Sequence, residues 1–356
     1  MISRRRTAGG SVEIISQLRA FLLFAVVATP ALGASIDHPI TRARFLMGTT
    51  CEVTLPPGSG DEAFDTAFDE IDRIEDLIST WRPESALSRI NRQAVGESIP
   101  AGAEIFDLLA EAIEWSVATD RAFSPFVAPL VDAWDLRHDG RIPDETEIRA
   151  ALERTNPAHF VLDLPSRTIT RLADIRVEEG AFGKGFAIDR ALARLSSLGV
   201  KSTSINFGGQ IAVLGPAPIE IAIAHPEHRD EAAVALDLSA GSISTTSGSE
   251  RTFVVDGQRF SHIVDPRTGR AIAPRDSVSV VHDDAFVADI LSTALNVMGP
   301  SEGLAWANRH EVAAIFLIPE PESRGRWQIL LSDPATRRNL RIRPIDTQFK
   351  IKERSP

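Results

Sequence analysis

Residues 178–215 read EEGAFGKGFAIDRALARLSSLGVKSTSINFGGQIAVLG. Glycines at 180, 183 and 185 open a turn, apolar residues then recur at helical spacing, and Gly199 supplies the stop. The strand-like run that follows is interrupted by Gly208 and Gly209. A helix running into short, broken strands argues against the repeated crossover units of a simple doubly wound parallel sheet.

The same mixture continues in both directions. Towards the N-terminus, residues 42–55 read as a strand pair, or one bent strand, around Gly48. From Asp61 to about Ser79, apolar residues such as Phe64, Phe68, Ile71 and Ile74 keep helical spacing behind an acidic first turn. STWRPESALSRIN (79–91) reads as a loop and short helix, 102–118 as an amphipathic helix, and DRAFSPFVAPLVDAWDL (120–136) as a proline-interrupted loop with a short helix. Residues 144–154 read as helical and 158–178 alternate like strands. Towards the C-terminus, 219–264 is strand-rich, FVADILSTALNVMG (286–299) is a helix closed by Gly299, 301–309 is a second helical stretch, and VAAIFLI (312–318) is the closing strand. The fold class expected is α+β (mixed α/β), with short mixed and antiparallel sheets packed with helices.

The chain of 356 residues is 43% hydrophobic, enough for a sizeable core in one large domain or two ordinary ones. A net charge of -11 argues against a nucleic-acid partner, which asks for clustered Lys and Arg, but leaves room for a local anion site. MISRRR followed by AFLLFAVVATPALGA (20–34) has the layout of a secretory signal peptide. Residues 1–34 are therefore expected to be removed after Gly33 or Ala34, leaving 35–356 as an exported, periplasmic domain. A retained inner-membrane anchor is the alternative, although the run is short and proline-broken for a span. The single cysteine, Cys51, excludes an internal disulfide and a cysteine-rich zinc site; in the alternating TTCEVTL it reads as a buried structural thiol.

Four stretches could carry chemistry. Helix N-terminal amides beside Lys184 would suit a phosphate, although the spacing is not that of a Walker A loop and a tight strand-to-helix connection explains the glycines equally well. In ADILSTA, Asp289 and Thr293 are four apart, so a helix points both from one face, a hard-oxygen pair suited to Mg²⁺; the bland alternative is a helix-start carboxylate and a core threonine. Trp81, on a loop, could stack on a planar ring or merely pack. His262, in RFSHIVDPRTG (259–269), stands where an alternating strand meets a turn, a place more often filled by a structural histidine.

Taken in order, MGTT, STWRPESALSRIN, AFSPFVAPLVDAW, EEGAFGKGFAIDRA, NFGGQI, ISTTSGSERTF, HIVDPRTG and ADILSTALNVMG resemble the ApbE family, the FAD:protein FMN transferases, over roughly residues 42–318. HIVDPRTG and the AD-x-x-ST-A helix are the most specific parts. The resemblance implies an ApbE-like fold, FAD as substrate, and Mg²⁺. It implies transfer of FMN to a Thr or Ser hydroxyl of an acceptor flavoprotein, commonly a subunit of a membrane electron-transport complex, with release of AMP. Some relatives hydrolyse FAD as pyrophosphatases, and a periplasmic FAD-binding protein without turnover is a third possibility.

Residue by residue, the resemblance puts Met47 at the flavin site and Trp81 where an aromatic stacks on the ligand. Ala122, Phe123 and Ser124 fall in a segment bordering FAD, and Glu178, Lys184 and Ile263 against it. Ala181 would offer its carbonyl, and Asp289 and Thr293 their side chains, to the metal. His262 would be the general base. Three positions depart from the family pattern: EEGA replaces Asp-Leu-Gly-Gly, so Glu178 keeps a carboxylate with longer reach; Gln210 replaces an acid in NFGGQ; and Ser124 stands where aspartate is common.

Overall fold

The computed structural model describes residues 38–352 apart from 275, 322 and 339, so the expected signal segment, 1–34, lies outside the described residues. The chain begins with the strand pair β1 (Ile40–Leu46) and β2 (Thr49–Leu55), then α1 (Asp61–Ile78), α2 (Ala86–Arg92), β3 (Ser98–Pro100) and α3 (Ala103–Ala118). Two short helices, α4 (Ala128–Ala133) and α5 (Glu145–Glu153), precede β4 (Phe160–Asp163) and β5 (Thr168–Arg171). Helix α6 (Gly183–Ser197) leads into β6 (Thr203–Phe207), β7 (Gln210–Leu214), β8 (Ile219–Ala224), β9 (Ala232–Leu238), β10 (Gly241–Ser247), β11 (Thr252–Val255), β12 (Gln258–Ser261) and β13 (Ser277–His282). The long α7 (Ala285–Arg309) is followed by β14 (Ala313–Pro319), β15 (Trp327–Leu331), α8 (Asp333–Arg337), β16 (Arg343–Pro344) and β17 (Phe349–Ile351).

The α+β class is borne out. One nine-stranded sheet, ordered β1-β2-β6-β7-β10-β13-β14-β15-β17, forms the spine, antiparallel except where β15 meets β17. Its strands pair in hairpins because the turns allow it. Gly208 (φ 61°) and Gly209 (φ 95°) both take left-handed backbone, the two-residue loop whose twist suits an antiparallel pair. Period-two alternation then divides the sheet between two cores. Val278 and Val280, with Ala314 and Phe316, face α1, α6 and α7; Val281, Ile315 and Leu317 face the three-stranded sheet β16-β9-β8. Cys51 lies fully buried in the helix-side core, and burial pushes its thiol up to about 12. A third apolar cluster of Leu130, Trp134, Leu136, Ala151, Phe253 and Val264 joins α4 and α5 to the β11–β12 hairpin.

Three expectations change and one holds. VAAIFLI forms β14, but it does not close the chain, since β15 to β17 follow. The strand region 158–178 ends at Arg171. As expected, Gly299 closes the helix containing ADILSTA, with φ 75° and ψ 174°, and a second helical stretch follows from Pro300, which suits a first helical position. His262 lies one residue past the end of β12 rather than within it. Among the described residues, no helix is long and apolar enough to cross a membrane.

Candidate functional site

Helices α6 and α7 meet at their N-terminal ends, and glycine makes the contact possible. A Cβ at Gly185 would stand 2.3 Å from the Ala285 carbonyl oxygen and 2.8 Å from Phe286 Cα. The close approach lets the Gly185 amide donate to Asp289 Oδ2 at 3.1 Å, while Ser244 Oγ donates to Oδ1 at 3.2 Å. One turn into α6, Asp189 accepts the Ala285 and Phe286 amides at 2.9 and 2.8 Å, capping α7 from its neighbour. Buried Gln210 donates from Nε2 to the Ala285 carbonyl at 2.7 Å, so this departure from the family pattern sits in the same junction.

The junction concentrates charge. The Asp289 carboxylate holds the Lys184 ammonium above its ordinary value, against the opposing effect of burial. Thr293 follows Asp289 by one helical turn, and its hydroxyl has a long 3.4 Å contact with Thr246 Oγ1. The amide that a regular helix would return to the Ala181 carbonyl, four residues on, is that of Gly185, and it serves Asp289 instead. Ala181 O, Asp289 and Thr293 Oγ1 are hard oxygen donors, the kind Mg²⁺ takes. Among the described residues no group of three His, Cys, Asp or Glu side chains gathers as a metal site. A single carboxylate fits a Mg²⁺ whose remaining ligands are substrate phosphates and water.

His262 is held on the far side of this charge. Its Nδ1 lies 3.1 Å from the Arg251 carbonyl oxygen. A carbonyl only accepts, so Nδ1 carries the proton and Nε2 presents its lone pair. Burial lowers the imidazole below its ordinary value and nearby Lys184 adds to that, while Glu250 and the Arg251 bond oppose. The turn after it is rigid. Gly269 (φ 71°) donates its amide to the Asp265 carbonyl at 2.8 Å and accepts Trp134 Nε1–H at 2.8 Å. A side chain at 269 would strike Ile148 Cγ2 at 2.7 Å. Ile263 is buried beside His262.

A second wall gathers around Trp81, which is 63% exposed. The Arg137 guanidinium lies 4.7 Å from the indole centroid, so one ring face is backed and the other left open. Arg137 also donates to Thr80 Oγ1 at 2.9 Å and to Glu178 Oε2. Burial, then the neighbouring Glu179 charge, push the Glu178 carboxyl up to about 7 against the pull of Arg137. Met47, in the β1–β2 turn with φ 45°, donates its amide to Glu75 Oε2 at 2.9 Å. Ala122, Phe123 and Ser124 are buried, and Phe123 packs edge-on against Phe182 at the start of α6. Ser124 Oγ accepts the Phe126 amide, and the next carbonyl, Pro125's, accepts the Glu178 amide, tying this segment to the wall.

The expected site residues thus fall into two linked groups: Asp289, Thr293, Ala181, Lys184 and His262 in one, and Trp81, Glu178 and the 122–124 segment in the other. Met47 is near both, since a Cβ on Gly183 would lie 3.4 Å from Met47 Cε. Sequence reasoning missed Arg137, Glu179, Ser244 and Glu250. Ser244 and Glu250 lie in the quoted ISTTSGSERTF stretch and Glu179 in EEGAFGKG, so those motifs were the available signal; for Arg137 the chain offers no spacing or motif.

The sequence profile described as the ApbE family matches residues 47–316. The chain is 31% identical over 312 residues to a protein of Klebsiella pneumoniae (strain 342) named FAD:protein FMN transferase, covering 86% of this chain and 95% of that one. A Vibrio cholerae protein of the same name is 30% identical, with 85% and 92% covered. Among solved structures, the apo form of Pseudomonas stutzeri flavinyl transferase ApbE superposes with a TM-score of 0.75 at 26% identity, over 85% of this chain and 96% of that one. The Thermotoga maritima ApbE protein gives a TM-score of 0.77 at 24% identity, a likeness of fold.

Proposed function

The chain belongs to the ApbE family, and on that premise we propose that it is an FAD:protein FMN transferase acting on a Thr or Ser hydroxyl of an exported or membrane-bound acceptor flavoprotein. The acceptor oxygen attacks the phosphorus of the FMN half, the bond from that phosphorus to the AMP half breaks, and AMP leaves. His262 Nε2 takes the hydroxyl proton. Its neutral form suits it to that task near pH 7, because burial holds it below the ordinary histidine range. Lys184 offers positive charge to the diphosphate at the start of α6. When bound, Mg²⁺ held by Ala181 O, Asp289 and Thr293 would neutralise diphosphate charge. Trp81 and Met47 would flank a ring of the dinucleotide.

The observation that supports the reading is the glycine-enabled junction of α6 and α7, where the Gly185 amide and the Ser244 hydroxyl both bond the Asp289 carboxylate next to Lys184. Residues 1–34 are proposed to export the protein, so its acceptor would be met in the periplasm or at the outer face of the inner membrane.

Incubation of residues 35–356 with FAD, Mg²⁺ and an exported redox subunit as acceptor tests the reading. Flavin fluorescence on the acceptor in a denaturing gel, with one AMP released per label, is the expected result. AMP without labelling would make the protein an FAD pyrophosphatase, and intact FAD a binding protein.

A further inference from the structure

Glu179 has no part in the mechanism above, yet its side chain is arranged as if for a ligand. The residue is only 8% exposed. Oε1 accepts the Thr80 amide at 3.0 Å, which ties the carboxyl to the residue preceding Trp81. Oε2 is buried and makes no hydrogen bond of good geometry, the Thr80 hydroxyl and the residue's own amide lying close to the carboxyl. A buried carboxyl oxygen without a partner is costly, and proteins keep such atoms where something outside the fold completes them. Arg137 does not complete it, because its guanidinium serves Thr80 and Glu178. Arg137 Nε is itself buried and unpartnered, so the wall carries one oxygen and one N–H without partners. The missing side chain at Gly183 makes the space: a Cβ there would lie 3.3 Å from Glu179 Cγ and 3.4 Å from Met47 Cε. Glu179 therefore stands between the Trp81 platform and Met47, beside the start of α6.

We propose that Glu179 is a ligand contact, its free Oε2 hydrogen-bonding the polar edge of the FAD ring that lies against Trp81. The class of group recognised is a flat heterocycle whose edge carries an N–H that donates to this oxygen. Isoalloxazine and adenine both present such an edge, and the test separates them. The inference rests on the FAD reading above.

Wild type, Glu179→Leu and Glu179→Gln are titrated with FAD, FMN and ADP, following quenching of protein fluorescence, with thermal midpoints measured without ligand. Glu179→Leu is expected to weaken FAD about tenfold or more, the usual consequence of removing one partner of a buried hydrogen bond. Glu179→Gln, which keeps the side chain's shape and the acceptor for Thr80 but places an NH₂ where the ligand needs an acceptor, is expected to lose affinity with an unchanged thermal midpoint. If isoalloxazine is the ring, FMN weakens with FAD and ADP does not; if adenine is, the reverse holds. Glu179→Leu binding FAD as wild type does would overturn the contact while leaving the FAD reading intact. So would equal losses for FMN and ADP accompanied by a lowered thermal midpoint, the mark of a wall that has collapsed. A wild type that leaves FAD unbound sinks the parent reading, and the contact with it.

Discussion

The Arg251 carbonyl fixes which nitrogen of His262 is free, and that is what separates a base from a structural histidine. His262→Ala should therefore bind FAD with little change and lose transfer rate by roughly 10² to 10⁴. A folded variant with weakened FAD affinity and an unchanged maximal rate would make His262 a binding contact only. Because burial lowers this imidazole, the acid limb of the pH–rate profile should fall below the ordinary histidine range, and the rate should be at its plateau by neutral pH. Glu178 gives a separate pH signature. Its folded carboxyl is raised from 4.5 to about 7, so the folded state holds the proton more tightly than the unfolded chain. The stability this contributes is fully present below about 4.5 and is lost as pH rises through about 7. Glu178→Gln should flatten the thermal midpoint of the ligand-free protein across that window; an unchanged slope would assign the dependence elsewhere.

At the scale of elements, the site depends on how closely α6 approaches α7. Gly185→Ala would force a methyl onto the Ala285 carbonyl, so the helices must part. Destabilisation by about 1–3 kcal/mol in denaturant unfolding is expected, the usual cost of overpacking. Transfer should fall further than stability alone explains, because Lys184 would move relative to Asp289. A variant as stable and active as wild type would mean that the helix contact yields without consequence. Much at this scale was legible in the sequence: Phe64, Phe68, Ile71 and Ile74 announce α1, and Gly208-Gly209 the break that the structure turns into the β6–β7 hairpin. Gly299 reads as a stop with a second helix after it, and its positive φ divides α7 there. Chemistry that lies within one element was also legible, as with Asp289 and Thr293 on one helical turn. The wall around Trp81 was not, since Arg137 and Glu179 reach it from 56 and 98 residues away and no local pattern encodes such a meeting.

At the scale of the whole molecule, both cores are built from residues of the described chain, and each face of the nine-stranded sheet is covered from within it, by helices on one side and β16-β9-β8 on the other. The order of that sheet was beyond sequence reasoning, because register between strands as distant as β2 and β6 is set by long-range packing rather than by turns. Among the described residues, the cores and the candidate site draw on nothing before Leu46. On the proposal that residues 1–34 are an export signal, they serve as an address rather than as a structural part. A chain beginning at Ser35 should fold when expressed without them, with the same thermal midpoint as exported protein and the same affinity for FAD. The full-length chain should be recovered from the periplasm with a new N-terminus at Ala34 or Ser35, read by N-terminal sequencing. An intact Met1 in a membrane fraction would instead make the segment a permanent anchor. A Ser35 chain that fails to fold would show that the segment is more than an export signal.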